Sequence, residues 1–308
     1  MENDEPFSKL LTQGMVIAET YYRTNNDGSR DWFNPADVTV EDDDKGAAVR
    51  ATLQADGQEV TIGGIEKMSK SKNNGVDPQG LINRYGADTV RLYTMFAAPP
   101  EQSLEWSDAG VEGAHRFLKR LWKLSVTHLQ TGDVPELNKD ELTEAQQKLR
   151  LKIHATISKV NDDIGRRYTF NTAIAAIMEL SNALSQAKDD SDNGRAIMRE
   201  GLETSILLLS PIVPHITDTL WHEFGYTEPA INAAWPEVDD SALVQNELQL
   251  IVQVNGKLRA KITVATDADN KQIEETAISD QNVQKFIADK EIRKVIVVPG
   301  RLVNIVIS

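Results

Sequence analysis

The spacing of apolar positions changes along this chain, and each change marks a different kind of element. Residues 14–22, GMVIAETYY, form a short apolar stretch that suits a strand or a helix. From 28 to 65, the runs ADVTVED, AAVRATL and EVTIGG are short, rich in Val and Thr, and separated by the turn sequences DDDKG and ADGQ. They predict a small antiparallel β insert that ends at a flexible Gly63-Gly64 pair. The stretch QGLINRYGADTVRLYTMFAAPP predicts two short helices, broken at Gly86 and stopped by Pro99-Pro100.

Beyond residue 110 the period becomes helical. Ala114, Phe117, Leu118, Leu121 and Leu124 recur at spacings of three and four over 110–129. Leu149, Ile153, Ile157, Val160 and Ile164 continue the pattern in a long helix at about 143–164. Phe170 to about Ala187 follows, with Ile174, Ile177, Met178 and Leu184 on one face. After the loop KDDSDNGR, a helix spans about 195–209 and stops at Ser210-Pro211. Another runs from Val213 to Phe224, with Pro214 in its first turn. Together 110–225 predicts an antiparallel helical bundle, and GYTEPAINAAWPEVDDSA a linker wrapped around it.

The last block alternates. LQLIVQVNGKLRAKITV reads as a hairpin about Asn255-Gly256, and RKVIVVPGRLVNIVI as a second about Pro299-Gly300. Between them lies a polar helical stretch at about 270–289, which completes a ββαββ domain. The fold class is therefore α+β and multidomain. Its parts are 1–27 ahead of the insert, the β insert at 28–65, a lysine-loop region at 66–109, the bundle at 110–240 and the ββαββ domain at 246–308.

Composition narrows the classes. The 308 residues carry 33 basic and 47 acidic side chains, a net charge of -14, so any nucleic-acid contact has to come from local basic patches. Cysteine is absent, which excludes disulfides, thiolate catalysis and cysteine zinc sites and fits a reducing, cytoplasmic setting. No apolar run approaches the ~20 residues needed to span a bilayer, so no membrane partner is expected. The start MENDEPFSKL is acidic and unlike a signal peptide.

Two basic patches stand out. Arg116, Lys119, Arg120 and Lys123 occupy one flank of the helix at 110–129, either a solvated face or a surface for backbone phosphates. In the strand after Asn255-Gly256, Lys257, Arg259 and Lys261 share one face by alternation, opposite Leu258, Ala260 and Ile262. The cations repeat every ~6–7 Å, about the spacing of successive phosphates, with Arg293, Lys294 and Arg301 as extensions. Edge protection against aggregation explains that strand equally well. His215 and His222, seven apart, make a weak metal pair and suit packing or capping; no metal site is assigned.

The segment EKMSKSKNNGVDP, 66–78, carries the chemistry. Lys67 and Lys70, with Lys72 beyond, sit among serines on a polar segment ahead of an Asn-Asn-Gly turn. A lysine ammonium is a compact charge that follows a moving phosphate, where arginine holds one bidentate geometry. Positioning and electrostatics supply most of the catalysis in phosphoryl and nucleotidyl transfer. By itself a five-residue motif is moderate evidence.

It is not alone. Lys67-Met68-Ser69-Lys70-Ser71 resembles the signature loop of class I aminoacyl-tRNA synthetases, and NNGVDP and YGADTVRL follow in that family's order. LSPIVPHITDTLW resembles the element that closes the anticodon-binding bundle of the subgroup for branched aliphatic amino acids and methionine. Within the family the chain looks most like the bacterial leucyl branch. The β insert before the lysine loop, the helices RFLKRLWKL and TFNTAIAAIMEL, and the ending VQVNGKLRAKITV to RKVIVVPGRLVNIVI carry that likeness.

The resemblance implies ATP with Mg2+ as substrate, leucine and tRNA(Leu) as further partners, and a monomeric enzyme. Lys70 would contact the ATP phosphates and stabilise departing pyrophosphate; Lys67 would assist, Ser69 and Ser71 would shape the loop, and all five motif residues, Met68 included, would belong to the ATP-binding site. The cations of the bundle and of the ββαββ domain would bind tRNA. The family's His-x-Gly-His motif does not occur, and nothing resembles an editing insert, so the resemblance implies the C-terminal third of such an enzyme, inactive alone. A stand-alone RNA-binding module and a valyl or isoleucyl relative are the alternatives; the ββαββ ending argues against the latter.

Overall fold

The computed structural model describes residues 10–44, 48–244, 247–266, 268–288 and 290–308. Most of the MENDEPFSKL start and Lys45-Gly46 of the DDDKG turn lie outside them, as does Asp289 at the end of the polar helical stretch. The chain divides into two compact units, Met1–Val238 and Asp239–Ser308.

The first unit begins with β1 (Val16–Thr24), so the ambiguous GMVIAETYY run is a strand. Strands β2 (Arg30–Phe33), β3 (Val38–Asp42), β4 (Ala48–Leu53) and β5 (Thr61–Lys67) follow. Only β3 and β4 form a sheet of their own; β5 lies against β1 in the order β2-β1-β5. The Gly63-Gly64 pair is accordingly part of β5 and not a flexible end. The register slips between Thr20 and Tyr21, and a Cβ on Gly63 would meet Thr20 Oγ1 at 2.6 Å. Thr20 is fully buried there and donates to Gly64 O at 2.9 Å.

After the lysine segment come α1 (Pro78–Tyr85) and α2 (Ala87–Phe96), broken at Gly86 where φ is +84°. Asp77 caps α1 by accepting from Gln79 N, with Pro78 in the first turn. The short β6 (Leu104–Glu105) returns to pair with β1 in parallel.

The bundle consists of α3 (Asp108–Leu129), α4 (Glu144–Asp162), α5 (Phe170–Gln186), α6 (Asp192–Leu209) and α7 (Pro214–Glu223). α6 starts inside the predicted loop, because Ser191 caps it by accepting from Gly194 N. Phe117, Leu121, Ile153, Ile174, Ile177 and Leu180 form one core, continuous with Leu92 of α2 and Leu104 of β6. The lysine-loop region and the bundle thus share a hydrophobic interior. The linker packs on it through the buried Ala230, whose N–H donates to Asp218 at 2.9 Å.

The second unit holds α8 (Asp240–Leu243), β7 (Glu247–Val254), β8 (Lys257–Ala265), α9 (Asn270–Ser279), α10 (Gln281–Ile287), β9 (Ile292–Val298) and β10 (Leu302–Ile307). The polar helical stretch is two helices. Asp280 is extended and caps α10 by accepting from Asn282 N and Val283 N, which ends α9. The sheet order is β8-β7-β10-β9, and Leu250, Val252, Ile262, Val303 and Ile305 pack against Ile273, Ala277, Val283 and Ile287.

Candidate nucleotide and RNA site

The lysine segment is built on the end of a strand. Lys67 closes β5 opposite Ile17 of β1, and Met68 N donates to Val16 O at 3.0 Å. Lys70 then opens a single 3-10 turn, Lys70–Lys72, that ends at Asn73 in the left-handed region (φ 49°). Between the two lysines Ser69 is extended, and its hydroxyl lies 3.3 Å from that of Ser71.

What holds this polar turn is one side chain. Asn74 is fully buried, and its Oδ1 accepts from Ser69 N at 2.8 Å. Its Nδ2 donates to the carbonyls of Ala18, Glu66 and Lys67 at 3.3–3.4 Å. The backbone is stapled to β1 and β5 with no apolar residue of its own in the core. Asn73 Nδ2 reaches Trp32 O at 3.4 Å, and Asn34 Nδ2 reaches Gly75 O at 3.0 Å, which ties the turn to the β2 side of the sheet.

The three lysines separate into two kinds. Lys72 is spent internally: its ammonium pairs with Glu66 and lies 5.5 Å from the Trp32 ring centroid, so it does not extend the free charge. Lys67 and Lys70 are exposed, and neither ammonium group has a hydrogen-bond or ion-pair partner among the described residues. Two mobile cations on a fixed backbone suit an anionic group that changes position during reaction. Met68 and Ser69 are half-buried, and Ser71 is exposed.

On α3 the basic residues are all exposed. Arg116 lies 3.8 Å from Glu112, whereas Lys119, Arg120 and Lys123 have no partner among the described residues.

The ladder in the second unit is different from the alternation expected. The register slips between Val252 and Gln253, so Leu258 pairs with Gln253 and Lys257 with Val254. A one-residue bulge exchanges faces. Leu258 moves to the open side, 58% exposed, and Lys257 shares the face of the buried Val254. Arg259, at the bulge, lays its guanidinium 3.8 Å over the Phe286 ring of α10. Lys261 alone of the three stands on the open face, opposite Ile251. Arg293 and Lys294 belong to β9, at the far edge of the sheet from β8, and Arg301 lies in the turn between β9 and β10. They do not lengthen the ladder. β8 being an edge strand keeps the protective reading of its lysines open.

The two histidines are engaged separately. His215 Nδ1 lies 2.7 Å from Asp88 Oδ1, and Asp88 Oδ2 accepts from Ile216 N at 2.7 Å, so a carboxylate of α2 caps α7. Arg91 adds bonds to Ile212 O and Pro211 O. His222 Nδ1 lies 2.7 Å from Tyr226 O. Among the described residues no group of three or more carboxylate or imidazole side chains forms a metal cluster, and no helix is long and apolar enough to cross a membrane.

Asn74 was legible only as part of an Asn-Asn-Gly turn; nothing in its sequence context marks it as the buried anchor. The Tyr22–Trp32 pair, with ring centroids 5.1 Å apart and Arg30 stacked 4.2 Å over Tyr22, was likewise unmarked, because RDWF is too short to read as a strand.

Residues 59–107 match the family model of class I tRNA synthetases (I, L, M and V), and residues 146–275 match that of the anticodon-binding domain of tRNA ligase. The chain is similar to the class I tRNA synthetases, and the lysine turn falls within the first match. Among that family's members it is similar to leucine–tRNA ligases. It is 62% identical to that of Chromohalobacter salexigens over 304 residues and 58% identical to that of Alkalilimnicola ehrlichii over 308, covering 99% of the chain each time. The chain spans 36% of the length of these relatives. A solved Agrobacterium radiobacter LeuRS–tRNA–LeuAMS ternary complex superposes with a TM-score of 0.64 at 28% identity, over 79% of this chain and 31% of that one. The valyl or isoleucyl reading and the stand-alone module are not favoured by these matches.

Proposed function

We propose that this chain supplies, within a leucine–tRNA ligase, the loop that neutralises the ATP phosphates and the surfaces that hold tRNA(Leu). A leucine carboxylate oxygen attacks the α-phosphorus of ATP, the bond to the β-phosphate bridging oxygen breaks, and pyrophosphate leaves. The leucyl group of the adenylate then passes to tRNA, and AMP departs. Lys70 meets the leaving β- and γ-phosphates, and Lys67, three residues earlier at the end of β5, meets them from the sheet side. Mg2+ travels with those phosphates. At an effective dielectric of about 20, one ammonium about 4 Å from a unit negative charge contributes about 4 kcal/mol, enough to matter in a single barrier.

The observation that carries this reading is the pair of unpartnered ammonium groups on a backbone pinned by Asn74, within a segment that matches the class I model. The tRNA surfaces are the α3 row, with Lys119, Arg120 and Lys123 ahead of the ion-paired Arg116, and Lys257, Lys261, Arg293, Lys294 and Arg301 in the second unit. Arg259 contributes by packing on Phe286. A cytoplasmic, monomeric parent enzyme completes the proposal.

ATP–pyrophosphate exchange tests it. The isolated chain should show no leucine-dependent exchange, while a full-length ligase carrying this segment should. Robust exchange by the isolated chain would overturn the division of labour.

A further inference from the structure

A cavity of about 220 Å³ opens beside α3, lined by Tyr85, Thr89, His115, Lys119 and Trp122. It is smaller than the ~300–1,000 Å³ of a drug-sized site and suits one planar ring. A singly exposed tryptophan means little, but Trp122, 39% exposed, is not singly placed. At about 100° per residue, His115, Lys119 and Trp122 form one row (i, i+4, i+7), and Arg116, Arg120 and Lys123 form the next. An aromatic row thus borders a cationic row along the same helix.

The floor of the cavity is prearranged. Thr89 Oγ1 donates its proton to Tyr85 O at 2.7 Å, so at 3.3 Å it accepts from His115 Nδ1. In the neutral ring this leaves Nε2 as an acceptor. The Tyr85 ring meets the His115 ring edge-on, with centroids 5.4 Å apart, and fixes its plane. Of the nearby carboxylates, Asp88 is taken by His215 and Ile216 N, and Glu112 accepts from the Tyr85 hydroxyl at 3.1 Å and pairs with Arg84 and Arg116, so each already has its own partners.

Resting on the tRNA reading above, we infer that this groove takes an unpaired base of the RNA. The base stacks on Trp122 and presents an N–H to His115 Nε2, while the strand's phosphates follow Arg116, Arg120 and Lys123. The charge row argues for a polyanion, and the flat aromatic wall for one with exposed rings.

The test measures binding of a tRNA(Leu) transcript and of an RNA duplex of about 16 base pairs to the full chain over a salt series. Trp122→Ala should weaken tRNA binding roughly tenfold, leave the salt slope and duplex binding unchanged, and be rescued by Trp122→Phe. Lys123→Ala should instead lower the slope by about one for both RNAs. Unchanged tRNA affinity in Trp122→Ala, or equal loss on the duplex, would overturn the base pocket while leaving the tRNA reading intact. Failure of the unaltered chain to bind tRNA would overturn both. Poly-glutamate binding with the same Trp122 dependence would assign the groove to an acidic peptide and refute the proposal.

Discussion

The helical bundle and the lysine turn are both ordered, by opposite means. In the bundle, Ile153, Ile174, Ile177, Leu180 and Leu202 are wholly buried in one continuous core. Order there is spread over many contacts, each weak alone. The lysine turn contributes a single fully buried side chain, Asn74, that satisfies four backbone groups at once. That leaves the ammonium groups of Lys67 and Lys70 without internal partners. The anion-holding role proposed for this turn would benefit from that division: the backbone is fixed by a neutral amide, and the charge stays available.

The contrast can be broken most forcefully in the bundle. Ile177→Ala should cost ~2–5 kcal/mol in urea unfolding, because it removes buried methylenes and leaves a cavity. A loss under ~1 kcal/mol would mean that the core relaxes to fill the hole and is less tightly packed than described. Asn74→Ala should cost less, ~1–3 kcal/mol, and locally. Hydrogen exchange at the Ser69 amide should accelerate while bundle amides stay protected. An unchanged Ser69 amide would show that something other than Asn74 holds the turn.

A smaller effect concerns pH. His128 is buried against Phe224, ring centroids 6.2 Å apart, with its Nε2 unpartnered. Burial, then Arg199 and Arg195, hold its pKa below the ordinary histidine value. Its stabilising neutral form is fully present above the unfolded pKa of about 6.5 and is lost as pH falls through that value toward the depressed folded one. Melting temperature should therefore drop modestly from pH 8 to 5, and His128→Phe should flatten that segment of the curve. Asp163 and Glu200 act in a separate, more acid window. Burial raises both, but the hydrogen bonds from Lys159 and Thr172 to Asp163, and from His154 and Arg150 to Glu200, outweigh it and leave both carboxyls below their usual range. An identical slope in His128→Phe would remove His128 from the account.

The same contrast explains what the sequence disclosed. Helical periodicity reports distributed burial, so Leu149 through Ile164 and Ile174 through Leu184 located the bundle helices within a few residues. Strand alternation reports burial only where no bulge intervenes. The slips at Thr20/Tyr21 and at Val252/Gln253 put Gly63-Gly64 inside a strand and divided Lys257, Arg259 and Lys261 between faces. A bulge is set by how two strands pair and not by either strand's own alternation, so the residues around Lys257 do not announce it. The lysine motif was legible by residue type. Its anchor was not, because an asparagine in a turn and one buried in a backbone cage have the same local sequence.

Substituting Lys67 or Lys70 by Ala should change folding stability by no more than ~0.5 kcal/mol, since both are exposed and unpaired. That permits the most direct test, rapid-quench adenylate formation in a full-length ligase carrying this segment. Lys70→Ala should slow the chemical step about a hundredfold, with leucine affinity and melting temperature unchanged. An unaltered rate of adenylate formation would contradict the role given to the lysine turn.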